Sequence, residues 1–166
     1  QNYQHITHEF EPIFDERSRI LILGTLPSVK SREGQFYYHH PQNRFWKVLA
    51  AVLHEPVPAT IAEKSAMVHR NHIALWDVIA SCEITGSSDS SIRNVAANDL
   101  SPIFAAAPIQ AVFCNGGTAY KAYCKYTRPI TGRDAIQLPS TSPANAAWSV
   151  ERLTAAWQQI LIAPQR

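Results

Sequence analysis

The chain is short of the features that would set it apart from ordinary globular proteins. No apolar run comes near the roughly 18 residues that a membrane-spanning helix needs. The first residues show no basic stretch leading into an apolar one, so a secretory signal is not expected. Neither sign of charge dominates: 15 Lys and Arg stand against 13 Asp and Glu, a formal net charge of +2. That balance permits a nucleic-acid partner without demanding one. Cysteine is scarce. Cys82, Cys114 and Cys124 are odd in number and lack CxxC spacing, which argues against disulfides or a zinc site and for the buried, reduced thiols of a cytoplasmic protein. Internal repeats, linkers and a glycine-rich phosphate fingerprint are missing as well. What remains is 166 residues, 46% hydrophobic and 17% charged, enough for one domain, 1–166, with a sizeable core.

The apolar run Ile20-Leu21-Ile22-Leu23 empties into Gly24-Thr25-Leu26-Pro27-Ser28 and reads as a buried strand followed by a loop. Further strands are expected at 73–76, with Asp77 at the carboxyl end, at 109–114, closed by Asn115-Gly116-Gly117, and at 135–138. The last leads into a second Pro/Ser loop, Leu138-Pro139-Ser140-Thr141-Ser142-Pro143. Between strands the apolar period changes. Phe45, Val48, Leu49 and Val52 share one helical face over 45–53, and Thr60-Ile61-Ala62-Glu63 has the capping-box form that starts a helix reaching about residue 69. Shorter helices are expected over 100–107 and 118–126, and a final one capped by Ser149 with Val150, Leu153, Trp157, Ile160 and Leu161 in register. Residues 86–91 are too polar for an element. This alternation predicts a three-layer α/β/α domain around a central, mainly parallel four-stranded sheet. Ligands of such sheets bind beyond the carboxyl ends of the strands. Two Pro/Ser loops there, one followed by Tyr37-Tyr38 and Asn43, suggest a pocket for something flat and polar.

Each residue in these loops has an ordinary reading beside a chemical one. Asn43 precedes a predicted helix and suits an N-cap; an amide there also suits a pocket. Tyr38, with Phe36 and Tyr37 as competitors, is either a core aromatic or a stacking platform. Asp77 is a turn or cap residue, or an acceptor for a ring N–H. Ser28 and Ser140 form local turns, or their loops present backbone N–H groups to developing charge. Lys30, Arg32, Arg44 and Lys47 surround the first loop, and Lys121, Lys125, Arg128 and Arg133 a later strand end. Each set is a solvated face or a phosphate contact. His69 and His72 lack a third ligand nearby and read as helix-end polar residues, so no metal is expected; His39 and His40 receive no catalytic role.

Together, Gly-Thr-Leu-Pro-Ser and Tyr-Tyr-x-x-Pro-x-Asn-x-Phe-Trp (Gly24 to Trp46), Trp76-Asp77-Val78 with Ser81-Cys82-Glu83, Phe113-x-Asn115-Gly116, and the second Pro/Ser loop occur in an order that resembles the uracil-DNA glycosylase superfamily. The likeness is greatest to its DNA-deoxyinosine (hypoxanthine) glycosylase branch and spans about 20–145. It implies a monomeric, cofactor-free enzyme that flips a deaminated base from DNA and hydrolyses its N-glycosidic bond, leaving an abasic site. The better-known uracil-removing relatives carry Asp before the Pro of the first motif and His at the start of the last; here those positions are Leu26 and Leu138. In the hypoxanthine branch the catalytic role falls to the Asn of Pro-x-Asn, which is Asn43, expected to orient the water and stabilise positive charge on the sugar through its carbonyl oxygen. The resemblance also implies Tyr38 stacked on the base, Asp77 at the base edge, and the loops of Leu26, Ser28 and Ser140 around it. Arg44, Lys47, Ser142 and Pro143 would face DNA, the last two where relatives insert a wedge. The alternatives are a uracil- or other mismatch-directed DNA glycosylase of the same fold and a non-catalytic nucleic-acid-binding module.

Overall fold

The computed structural model describes residues 3–7, 11–26, 36–85 and 91–162. After a first strand, Gln4–Thr7 (β1), come Ile20–Gly24 (β2), helices Phe45–Leu53 (α1) and Ile61–Arg70 (α2), and strand Ile73–Asp77 (β3). Strands Ile79–Ile84 (β4) and Arg93–Ala97 (β5), helix Ser101–Ala106 (α3) and strand Ala111–Asn115 (β6) follow. Helix Gly117–Ala122 (α4) runs through a π turn at Tyr123–Thr127 into Arg128–Thr131 (α5); strand Ile136–Leu138 (β7) and helix Val150–Trp157 (α6), tailed by a 3-10 segment, are the last elements among the described residues. The widening at the π turn lies just before Pro129, which has no N–H to donate into the preceding turn.

Four strands pair in the order β3-β2-β6-β7, every pairing parallel. The expected architecture is present. β2 is buried along its whole length because both faces are covered, as expected for a central parallel strand. Its two-residue period sorts its side chains: Ile20 and Ile22 pack with Phe45, Leu49, Met67 and Trp157, while Leu21 and Leu23 pack with Val112, Ile103 and Tyr123. Helices α1, α2 and α6 therefore cover one face, and α3 and α4 the other. The predicted caps are present: Thr60 and Glu63 exchange capping-box bonds, and the Ser149 hydroxyl accepts from the Arg152 N–H. All three cysteines are free thiols, and burial beside Cys124 pushes Cys114 up to about 12.

A second sheet was not foreseen. β1, β4 and β5 pair antiparallel in the order β1-β4-β5, with register shifts along the β4–β5 pair. β4 follows β3 after a single residue, Val78, whose N–H donates to the Gly24 carbonyl while that of Ile79 donates to Thr25. The chain thus turns around the end of β2, and Asp77 ends a strand without opening a helix.

Candidate active site at the carboxyl ends of the parallel strands

Gly24 pairs with Asp77 and Asn115 with Leu138, so all four parallel strands end at one level. From β2 the chain crosses by α1 and α2 to β3 on one side; from β6 it crosses by α4 to β7 on the other. The connections diverge between β2 and β6, the switch point at which open α/β sheets bind ligands. Tyr38, Asn43, Asp77 and Asn115 all gather around it.

Tyr38 has a left-handed backbone, φ 53°, and its ring stacks on Phe45 at 4.0 Å and 17°. Phe45 is in turn held edge-on by Trp157 at 5.7 Å. The competitors for the stacking role are spoken for: Phe36 and Tyr37 are buried, the Tyr37 hydroxyl donates to the Glu11 carbonyl, and the Tyr37 carbonyl accepts from the Trp46 indole. Tyr38 alone of the three is only half-buried. Its hydroxyl is enclosed with no partner in hydrogen-bonding geometry, although Asn115 lies close enough to favour its ionised form. Burial, reinforced by the Asp77 carboxylate, holds the phenol far above its usual range, so it stays protonated.

Asp77 is 3% exposed, and its Oδ1 lies against the bare Cα of Gly24. A Cβ on Gly24 would strike that oxygen and come within 3.1 Å of the Tyr38 hydroxyl. Gly24 thus lets two side chains share the end of β2, which explains the glycine after the apolar run. Gly24→Ala is expected to cost about 1–3 kcal/mol through overpacking. Urea denaturation checks this, and an unchanged midpoint would mean that Asp77 simply moves aside. Gly116, φ 99°, plays the matching part on β6: its N–H donates to the Leu138 carbonyl, and a Cβ there would lie 3.0 Å from that of Ser140.

Asn43 does not occupy the N-cap position of α1, which is Arg44. Its Oδ1 nevertheless accepts from the Phe45 N–H at 3.0 Å and from the Thr141 hydroxyl at 2.8 Å. Thr141, wholly buried, is gripped by Asn115: the Asn115 Nδ2 donates to the Thr141 Oγ1 at 3.0 Å, and the Thr141 N–H returns a bond to the Asn115 Oδ1 at 3.1 Å. This chain of bonds ties the ends of β6 and β7 to the start of α1. Sequence reasoning passed over Thr141 and gave Asn115 no role of its own; the only signal was their place inside strand-end motifs.

Arg44 sits differently from its expected role at DNA. Its guanidinium donates to four main-chain carbonyls, those of Thr141, Ser142, Asn145 and Trp148, and so clamps the second Pro/Ser loop to α1. Those donors are spent inside the protein. Trp157 holds the same loop from below, donating to the Pro139 carbonyl at 2.9 Å. Ser140 and Ser142 act locally, each accepting through its hydroxyl from a backbone N–H two residues on. Leu26 packs on the apolar cluster under β2; Lys47 and Pro143 are exposed, and Ser28 lies outside the described residues, as do Lys30, Arg32 and residues 86–90. Beside the loop runs an open groove of about 580 Å³ lined by Gly117, Gln137, Ser142, Asn145 and Trp148 among others. His69 pairs with Asp15, distant in sequence, at 3.0 Å. Among the described residues no cluster of His, Cys, Asp and Glu is arranged to hold a metal.

Comparisons with known proteins agree with this fold. A family model described as the uracil DNA glycosylase superfamily matches residues 11–161. A hypoxanthine DNA glycosylase of Methanosarcina acetivorans is 33% identical over 156 residues, 93% of this chain and 98% of the relative. A hypoxanthine DNA glycosylase of Methanosarcina barkeri is 35% identical over 109 residues, 64% of this chain and 69% of the relative. The solution NMR structure of a candidate uracil DNA glycosylase from Methanosarcina acetivorans superposes with a TM-score of 0.76 at 31% identity, covering 92% of this chain and 96% of that one.

Proposed function

The chain belongs to the uracil DNA glycosylase superfamily, and from that premise we propose that it excises hypoxanthine from deoxyinosine in DNA by hydrolysis, as a monomer and without a metal. The observation that carries this reading is the meeting of Tyr38, Asn43 and Asp77 at the ends of adjacent strands, although they come from separate stretches of sequence.

Extruding the nucleotide costs a few kcal/mol, least at a mismatch such as inosine creates. Stacking on Tyr38 offsets about 1–3 kcal/mol of that. Phe45 behind the ring keeps Tyr38 at a fixed angle, so the platform need not be ordered when the base arrives. Asp77 accepts from the ring N–H of hypoxanthine, which adenine lacks at the same position. In the bond-breaking step the C1′–N bond opens, its electron pair goes to the base, and a water oxygen bonds to C1′. The water's proton passes to bulk solvent or to the departing base. Asp77, an acceptor at the base edge, gives nothing to charge building up on that base, so donors elsewhere in the site must favour it. Asn43 is the side chain placed to do so. Lys47 and the loop around Pro143 meet the backbone of the DNA, and the open groove beside that loop takes the strand next to the extruded nucleotide.

Matched duplexes carrying inosine, uracil or xanthine test the reading when incubated with purified protein and then treated with alkali to cut abasic sites. Inosine is expected to be released fastest, with no change in EDTA. Ready release of uracil with inosine left intact would overturn the substrate assignment.

A further inference from the structure

We infer that Asn43 meets its substrate as a hydrogen-bond donor, through Nδ2, and that Thr141 is the positioning residue that fixes this polarity. The inference rests on the glycosylase reading and specifies how its central amide works.

An amide side chain has two faces of opposite character: an oxygen with two lone pairs and a nitrogen with two hydrogens. The orientation of Asn43 follows from its neighbours. The Phe45 backbone N–H can only donate, so the atom facing it at 3.0 Å must be the oxygen. The second neighbour has its direction set through a longer chain. The Thr141 N–H donates to one atom of the Asn115 side chain, which is therefore that residue's oxygen; the other atom, the Asn115 nitrogen, donates to the Thr141 hydroxyl. Having accepted from Asn115, that hydroxyl gives its own hydrogen to the Asn43 Oδ1, 2.8 Å away. Both lone pairs of the Asn43 oxygen are thereby committed inside the protein. Neither is left to accept a hydrogen from the attacking water. What Asn43 retains for a ligand is its nitrogen, turned away from Phe45 and Thr141.

A donor suits the chemistry. The leaving base gains negative charge, and a fixed N–H directed at an acceptor atom of the base strengthens as that charge grows. The amide never takes up a proton, and the proton of the water leaves by the route already given. Thr141 touches no substrate in this scheme. Buried at 0% exposure, it acts by keeping the Asn43 amide from turning over.

Asn43→Asp separates donor from acceptor. Aspartate is nearly the same size and keeps an oxygen for the Phe45 N–H and the Thr141 hydroxyl, while the donor nitrogen becomes a second oxygen. At pH 7.5 single-turnover release of hypoxanthine is expected to fall at least about a hundredfold, the scale of one lost donor to developing charge. The ratio of variant to wild-type rate is expected to rise as pH falls and the carboxyl gains a proton it can donate. His40, whose carbonyl accepts from the Asn43 N–H, the adjoining Arg44, Tyr38 stacked on Phe45, and Asp77 beside Tyr38 are the same in both proteins, so the ratio isolates residue 43. An Asn43→Asp enzyme equal to or faster than wild type at pH 7.5 would overturn the donor assignment.

Thr141→Val removes the hydroxyl with little change of shape, and Thr141→Ser keeps it. The valine variant is expected to lose about ten- to a hundredfold in rate, consistent with a misplaced catalytic group, with affinity for abasic DNA within about twofold; serine recovers the rate to within about threefold. Exchange of the Phe45 amide hydrogen gives a readout independent of activity: faster in the valine variant, and close to wild type with serine. Unchanged rate and exchange in Thr141→Val, or serine as impaired as valine, would remove Thr141 from its role. If wild type released no base at all, the glycosylase reading and the donor would fall together, and the exchange result would still decide whether Thr141 anchors Asn43.

Discussion

Asn43→Ala is expected to slow hypoxanthine release by about two to three orders of magnitude, the range for losing one fixed donor to charge developing in the transition state, while the protein stays folded. The contrast matters because Asn43 has structural bonds too. Truncation strands the Phe45 N–H and the Thr141 hydroxyl, each previously satisfied by the amide oxygen. Leaving such groups without a partner costs about 1–3 kcal/mol. Asn43 is only half-buried, so water entering the vacated space holds the loss to the lower end of that range. For a domain of this size that lowers the melting temperature by about 2–6 °C. Single-turnover rates measured well below the transition, alongside calorimetry, separate the two effects. A variant that loses activity only in proportion to its unfolded fraction has lost a strut and nothing more. Full activity would take Asn43 out of the chemistry altogether.

The largest effect on stability is expected from Arg44→Ala. One guanidinium satisfies carbonyls of Thr141, Ser142, Asn145 and Trp148, and its backbone N–H also donates to Thr141. Hydrogen bonds to a charged group contribute about 1.5–3 kcal/mol each when measured singly. They share one side chain and are partly wet, so a combined loss of about 3–5 kcal/mol is expected, roughly 10 °C in melting temperature. Arg44→Lys should recover little, because an ammonium on a flexible stem cannot serve carbonyls spread across a planar fork. Excision should fall with both, since the loop that carries Thr141 loses its clamp. The salt dependence of DNA binding decides between this role and a phosphate contact. A residue that neutralises a phosphate lowers the slope of log affinity against log salt by nearly one on removal. The slope is expected to stay as in wild type. A reduced slope with unchanged stability would return Arg44 to the DNA.

These outcomes turn on features unequally visible in the sequence. β2 was legible because a central parallel strand must be apolar on both faces, and Ile20 to Leu23 are. Helix α1 was legible to its last residue because Phe45, Val48, Leu49 and Val52 keep one face at helical spacing. The caps at Thr60 and Ser149 were legible because their bonds span only three residues. The antiparallel sheet was not: β1 and β5 are polar and largely exposed, and the side chains of β4 alternate too weakly to show a period. Arg44 could not be read at all. A cation before a helix looks the same whether phosphate or carbonyl meets it, and its partners lie about a hundred residues downstream.

The local pattern of the amino acids alone determined the layered α/β order, the strand ends at Gly24, Asp77, Asn115 and Leu138, and the presence of an aromatic and an amide beside them. Only the tertiary structure decided which way those groups work: that Tyr38 backs onto Phe45, that Arg44 holds a loop, and that the oxygen of Asn43 is already taken by Phe45 and Thr141. The reason is one of range. Periodicity and capping are set by contacts within a few residues, whereas the direction of a side-chain hydrogen bond depends on partners that only the folded sheet brings within 3 Å.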